Sequence, residues 1–164
     1  MMKYEKCVFA GSFDPVTNGH MDVIGKCAMM FEKVVVVLAV NAQKRSLFSK
    51  EDRLRMLEAA CAKYSSVTVK DHDGMLVDFL KKEGTPFYAR GIRDEKDLDY
   101  EGRTFDFNSK LYPEIQTVFI NCSKENKKIS STLVRDALKS GRSVSNYVPY
   151  EILPILEEIK NKIT

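Results

Sequence analysis

The chain is poor in histidine and has no closely spaced cysteines, two lacks that bear on metal sites. Histidine occurs only as His20 and His72, which excludes a histidine-rich metal site. The four cysteines, Cys7, Cys27, Cys61 and Cys122, stand far apart with no Cys-x-x-Cys pair. That spacing argues against a metal cluster and suits reduced thiols in a cytosol. No apolar run approaches the roughly 20 residues of a membrane span. Met1-Met2-Lys3-Tyr4-Glu5 carries no apolar signal region, and repeats and low-complexity stretches are missing. A net charge of +3 is too small to argue for nucleic acid by itself, and it fits a few basic residues facing phosphates. What is there, 164 residues with 44% hydrophobic and 30% charged, suits a cytoplasmic protein of one domain over 1–164, with neither nucleic acid nor membrane as partner.

One stretch organises the rest: Gly11-Ser12-Phe13-Asp14-Pro15-Val16-Thr17-Asn18-Gly19-His20. The apolar run Cys7-Val8-Phe9-Ala10 before it reads as a buried strand. Met21, Ile24, Ala28 and Phe31 after it recur at helical spacing. The decapeptide is therefore a strand-to-helix turn punctuated by Gly11, Pro15 and Gly19. Thr17 is placed to cap the helix, and His20 then lies in the first turn, beside unpaired N–H groups and the positive end of the helix dipole. An anion is favoured there.

The remaining chain alternates. Val34 to Ala39 predicts a strand covered on both faces. Ser49, with Asp52 three residues on, starts a helix whose apolar face carries Leu54, Leu57 and Cys61. Val67-Thr68-Val69 predicts a short third strand followed by a loop, Asp71 to Gly74. Met75 to Lys82 predicts a helix closed by Gly84 and Pro86. Phe87-Tyr88-Ala89 predicts a fourth strand that delivers Arg90 to Arg93 at its end, and Asp94 to Tyr112 a helix. Thr117 to Ile120 predicts a fifth strand, and Ser123 to Lys128 a polar loop. Ser130 caps a helix bearing Leu133, Val134, Ala137 and Leu138 and ended by Gly141. A last amphipathic helix, about 150–163, carries Ile152, Ile155, Leu156, Ile159 and Ile163. Cys27, Met29 and Met30 read as core or interface packing.

Five strands alternating with helices indicate an α/β fold, a doubly wound, Rossmann-like parallel sheet. Right-handed crossovers bring all the carboxyl ends to one edge, where such sheets bind ligands. The unusual polar clusters all follow strands: Gly11 to His20, Asn41 to Arg45, Arg90 to Arg93 and Ser123 to Thr132.

Thr17-x-Gly19-His20 resembles the T/HxGH signature of the nucleotidyltransferase superfamily. Ile129-Ser130-Ser131-Thr132-Leu133-Val134-Arg135 resembles its second motif, of the ISSTxxR type. Over nearly the whole chain the resemblance is closer, to the bacterial phosphopantetheine adenylyltransferases. It rests on the first motif, the Lys44-containing loop before Phe48, Arg90-Gly-Ile-Arg93, Tyr100-Glu101, and Ser123-Lys-Glu followed by Ile129-Ser-Ser-Thr. The resemblance implies transfer of AMP from ATP to 4′-phosphopantetheine, giving dephospho-CoA and pyrophosphate, with Mg²⁺ held mainly by the ligands' phosphates and with no protein metal ligand. It also implies a homohexamer, and coenzyme A or dephospho-CoA as product or feedback ligand.

Carried over by position, the resemblance gives His20, Ser12, Lys44 and Arg93 as the catalytic set, with His20 on the pentavalent transition state. ATP is assigned to Ser12, the Phe13 amide, His20, Gly91, Ile92, Arg93, Glu101, Asn126, Lys127, Lys128, Ile129, Ser130, Ser131 and Thr132. Phosphopantetheine is assigned to Ser12, Lys44 and Arg90, with Leu76 against its pantetheine arm. Competing readings stand beside these: Lys44 with Arg45 as a solvated basic loop, Arg90 and Arg93 as ion-pair partners of Asp94 or Asp97, Glu101 as a surface helix residue. The chemistry needs no protein nucleophile or general base, because the attacking phosphate is already ionised and the work is positioning and charge neutralisation.

Two departures stand out. Ser12 replaces the family's usual threonine, and Asn126-Lys127-Lys128 replaces its aromatic, small and aromatic residues. The alternatives are a nicotinate mononucleotide adenylyltransferase, disfavoured by Thr17 where that family usually carries histidine, and a non-catalytic nucleotide-binding regulator, disfavoured by an intact His20.

Overall fold

Alternation along the two central strands decides the layers. The structure, a computed structural model, describes residues 2–41, 43 and 45–162. In β1 (Tyr4–Gly11) and β2 (Phe31–Val40), Cys7, Phe9, Val34, Val36 and Leu38 enter one core, while Val8, Ala10, Val35 and Val37 enter another. Both faces of the sheet are thus covered, as the unbroken β-branched run of β2 requires. The first core is the larger. It holds Ile24 and Cys27 of α1 (Asn18–Met30), Met56 and Leu57 of α2 (Lys50–Cys61), and Val134 of α5 (Ser131–Lys139). Phe79 and Leu80 of α3 (Leu76–Glu83) cover the second face. Phe105 of α4 (Glu95–Leu111) packs against the same cluster.

The strand order is β3-β2-β1-β4-β5, with every pair parallel. The chain winds outward from β1 through β2 to β3, then crosses to β4 (Phe87–Ile92) and β5 (Gln116–Asn121) on the other side. The switch point lies between β1 and β4, and there the ladder is short. It pairs only Val8 with Tyr88 and Phe9 with Ala89, whereas β1 runs beside β2 from Tyr4 to Gly11. Beyond Phe9 and Ala89 the two strands no longer pair, which leaves a crevice at their carboxyl ends. The doubly wound α/β fold expected from the alternation is the fold observed.

Several boundaries differ from expectation. β3 spans Val67–Asp73, so Asp71, His72 and Asp73, expected in a loop, lie in the strand opposite Leu38, Ala39 and Val40. β3 is an edge strand whose outer positions meet water, so a polar end costs its ladder nothing and the composition misleads. β4 likewise continues through Arg90, Gly91 and Ile92. On α2 the buried face is Arg53, Met56, Leu57, Ala60 and Cys61, with Leu54 only half-buried. The expected last helix is broken into a 3₁₀ turn Tyr150–Ile152, α6 (Leu153–Ile159) and a second 3₁₀ turn Lys160–Lys162. Ile152, Ile155, Leu156 and Ile159 are buried as the spacing required, and Ile163 lies outside the described residues. Cys27 is core and Met30 packs against it, but Met29 is exposed.

Candidate active site

The crevice opens into a cavity of about 340 Å³ lined by residues from Phe9 to His20, from Arg90 to Glu101 and from Cys122 to Arg135. Three of the four strand-end clusters meet here. In the fourth, Lys44 lies outside the described residues.

His20 is held by its own helix start. Thr17 is the N-cap of α1, and its Oγ1 accepts the His20 N–H at 3.3 Å. In return the Thr17 N–H donates to Nδ1 of His20 at 3.0 Å. A backbone N–H can only donate, so Nδ1 carries no proton and the neutral ring carries its hydrogen on Nε2. Nε2 has no partner among the described residues. Burial lowers the His20 pKa to about 4, and the positive charges of Arg90 and Arg93 push the same way. Near neutral pH the ring is therefore an uncharged Nε2–H donor. Phe13 stands edge-on to it, ring centroids 4.9 Å apart.

The turn before α1 is braced from outside. Phe13 adopts φ +43°, a left-handed conformation that costs a bulky residue roughly 1–2 kcal/mol, and its ring is fully buried. Asp14 is buried too. Its carboxylate accepts the Leu47 and Phe48 N–H groups at 2.9 and 3.0 Å, so it ties the end of the Lys44 loop to this turn. Arg135 donates to the Asp14 carbonyl at 2.8 Å, and Ser131 Oγ to the Pro15 carbonyl at 2.8 Å. The final arginine and the second serine of the downstream motif thus hold the upstream one, which accounts for their joint occurrence. Ser12 is exposed at the cavity wall.

On the β4 side, Arg90 reaches across the crevice where the ladder stops, donating to the Ala10 carbonyl at 3.1 Å. Its other nitrogen pairs with Glu101 at 2.5 Å. Glu101 is buried, so the reading of it as a surface helix residue is wrong: an arginine half-hidden under α4 draws its carboxylate inward. Arg93 pairs with Asp97 at 2.9 Å, and that bond, offset by burial, leaves the Asp97 carboxyl below its usual range. Gly91 lets the layers touch: a Cβ there would meet Val23 Cγ2 at 2.8 Å.

The third wall is the loop after β5. Asp22 accepts from the Ser123 N–H at 2.6 Å and its hydroxyl at 2.8 Å, with Lys26 at 3.2 Å. Burial would raise the Asp22 carboxyl, but the two Ser123 donors and Lys26 hold it below its usual range. After a 3₁₀ turn, Lys124–Asn126, Ser130 caps α5 by accepting from the Leu133 N–H at 3.1 Å. Gly19 at the start of α1, and Ser130 and Ser131 at the start of α5, line the cavity, so it sits at the positive ends of both helix dipoles, which favour an anion.

Of the residues singled out from sequence, Ser12, Phe13, His20, Arg90, Gly91, Arg93, Glu101, Asn126, Ile129, Ser130 and Ser131 line this cavity. Ile92, Leu76, Lys127, Lys128 and Thr132 do not. Ile92 is buried, Leu76 packs half-buried under the second core, and Lys127, Lys128 and Thr132 are exposed beside the wall. Asp14, Asp97 and Arg135 also line it, though the sequence assigned none of them to a ligand. Arg135 and Asp14 were legible as members of the two motifs, and Asp97 as the ion-pair partner that one reading gave Arg93, a pairing the structure shows. No group of three His, Cys, Asp or Glu side chains among the described residues is placed to hold a metal ion. All four cysteines are free and buried, and among the described residues no helix is long and apolar enough to cross a membrane.

Two helix starts and the Arg90 and Arg93 side chains at the carboxyl edge of a parallel sheet make the class of site that favours anions. Residues 8–137 match the cytidylyltransferase-like family. Relatives named phosphopantetheine adenylyltransferase include one from Clostridium perfringens, 38% identical and covering 92% of each chain. Another, from Campylobacter fetus, is 38% identical over 97% of this chain and 98% of its own. A third, from Leptospira biflexa, is 39% identical over 87% and 89%. The chain belongs to the cytidylyltransferase-like family and, within it, to the phosphopantetheine adenylyltransferases. Its fold is shared more widely. The solved structure of a candidate nicotinate-nucleotide adenylyltransferase from Vibrio parahaemolyticus superposes with a TM-score of 0.74 at 19% identity, over 99% of this chain and 96% of that one.

Proposed function

We propose that the chain transfers the adenylyl group of ATP to 4′-phosphopantetheine, releasing pyrophosphate and leaving dephospho-CoA. The observation that carries the mechanism is His20, a neutral Nε2–H donor lining a cavity beside two helix N-termini. An oxygen of the phosphopantetheine phosphate attacks the α-phosphorus of ATP, and the bond from that phosphorus to the pyrophosphate oxygen breaks. The nucleophile is already an anion, so no proton has to be removed. The protein supplies alignment and charge stabilisation: Nε2–H of His20 donates to the equatorial oxygens of the pentavalent transition state.

In this reading Ser12 Oγ contacts the phosphates of both substrates and the Phe13 N–H holds ATP. Gly91 to Arg93, Glu101 and the segment Asn126 to Thr132 complete the nucleotide site. Arg90 and Lys44 take the phosphopantetheine phosphate, with Leu76 against the pantetheine arm. Asp14, Asp97 and Glu101 are each engaged by cations or backbone donors. Mg²⁺ accordingly enters on the phosphates of ATP, whose charge it neutralises, as suits a cation that keeps several waters. Coenzyme A or dephospho-CoA competes for the same site as product or feedback ligand. Assembly into a homohexamer is part of the proposal, supported by exposed Leu98, Phe107 and Leu111 on α4 and Phe119 on the edge strand β5. Light scattering of the pure protein tests it.

The function is tested by incubation with ATP and Mg²⁺, offering phosphopantetheine or nicotinate mononucleotide separately. Pyrophosphate release with phosphopantetheine alone is expected, and release with nicotinate mononucleotide instead overturns the assignment.

A further inference from the structure

Arg53 sits in the second turn of α2, 7% exposed, and does not line the cavity. A buried guanidinium ordinarily has a carboxylate partner, because an unpaired buried charge is costly. Arg53 has none among the described residues, and its Nε is buried without any hydrogen-bond partner. Its one bond runs from Nη1 to the Ser12 carbonyl, at 3.0 Å. α2 therefore buries a cation at a cost in order to grip a single backbone oxygen.

That oxygen belongs to the peptide whose other end is the Phe13 N–H. The Ser12–Phe13 bond is trans, so its C=O and N–H point in opposite directions. Drawing the carbonyl down into α2 turns the N–H up, toward the cavity that Ser12 and Phe13 line. The Phe13 N–H has no acceptor among the described residues. The backbone would not rest this way unaided, since Phe13 is left-handed at φ +43°. Beyond Phe13, the carbonyls of Asp14 and Pro15 are likewise held by side chains, those of Arg135 and Ser131. With three of the four carbonyls from Ser12 to Pro15 taken up by side chains, the turn has few free acceptors left for whatever enters the cavity.

We propose that Arg53 is a positioning residue for the nucleotide: it holds the Ser12 carbonyl from beneath and so aims the Phe13 N–H at a phosphate of ATP. Its unpaired charge, one peptide below the cavity, is balanced when the polyphosphate binds. The proposal rests on the cavity being the ATP site. It separates Arg53 from residues that only hold the fold, because the loss falls on one substrate.

The test is Arg53→Met, which keeps the packed volume and removes the donor and the charge, with Met56→Ala as a control that opens a cavity one turn away in the same helix. Wild-type pyrophosphate release from ATP and phosphopantetheine checks the underlying reading separately. Equilibrium binding of ATP and the KM of each substrate then check Arg53. Arg53→Met should weaken ATP binding roughly tenfold and raise the KM for ATP in step, the size expected for a lost charge-assisted contact. The KM for phosphopantetheine should stay within about twofold, and Met56→Ala should shift neither. Arg53→Lys, which keeps the charge and one donor at shorter reach, should lie between wild type and Arg53→Met. If Arg53→Met does not fold, Arg53→Lys decides by the same selective rise. Unchanged ATP affinity in a folded variant, or equal losses for both substrates, overturns the proposal while leaving the catalysed reaction in place.

Discussion

The backbone N–H of Thr17 lies 3.0 Å from Nδ1 of His20, and the Thr17 hydroxyl accepts the His20 N–H at 3.3 Å. The cap of α1 and the orientation of the one histidine in the site are a single arrangement.

Replacing His20 therefore touches both chemistry and helix. His20→Ala removes the Nε2–H donor and should lower kcat by roughly a hundredfold or more, as for other lost transition-state donors. The capping cost is limited to about 0.5–2 kcal/mol, because Thr17 still caps the helix. Near-normal kcat in a folded variant would remove His20 from the mechanism. Thermal unfolding beside steady-state kinetics separates the two effects.

The lowered pKa of His20 has a consequence for stability. In the unfolded chain the imidazole titrates near 6.5, and in the fold near 4, so between those values the unfolded state binds a proton that the native state refuses. Stability should fall as pH drops from about 6.5 toward 4, and the contribution should be fully present above 6.5. His20→Asn should show a shallower decline over that window. Parallel urea titrations of the two proteins at several pH values give the difference, and identical slopes would count against a ring that the fold keeps neutral.

Glu101, besides its place in the nucleotide site, is expected to hold Arg90 in position. Removing one partner of a buried ion pair strands the other, which costs about 3 kcal/mol or somewhat less for an arginine still partly open to water. Glu101→Gln should therefore destabilise the fold measurably in chemical denaturation. The same variant should raise the KM for phosphopantetheine more than that for ATP, as Arg90 loses its fixed orientation. A variant as stable as wild type would leave Glu101 a role in ligand contact alone.

Gly91 is where β4 and α1 come closest. A Cβ at this position would stand 2.8 Å from Val23 Cγ2, and Val23 is buried. Gly91→Ala should cost about 1–3 kcal/mol by overpacking. Adding Val23→Ala should return part of that loss, a sign that two independent cavities or clashes could not produce. Additive effects in the double variant would show that the strain lies elsewhere.

Much of the protein was legible in its sequence because the signals are local. The buried β-branched run of β2, the Ser49 and Ser130 caps, and Thr17 with His20 three residues on each depend on neighbours within one turn or one strand, so residue order alone specified them. The family was legible through the resemblance of the two motifs, and the physics of a turn before a helix start added only that the site favours anions. Tertiary structure decided what depends on residues far apart in the chain. Only the packing of α2 under the first turn joins Arg53 to Ser12, and only the short β1–β4 ladder lets Arg90 reach the Ala10 carbonyl and draw Glu101 inside. Edge position allowed β3 to keep its polar end as strand, against its composition. Sequence patterns report which face of an element is apolar. They do not report which distant backbone group a buried guanidinium will find, because that is set by how the layers close.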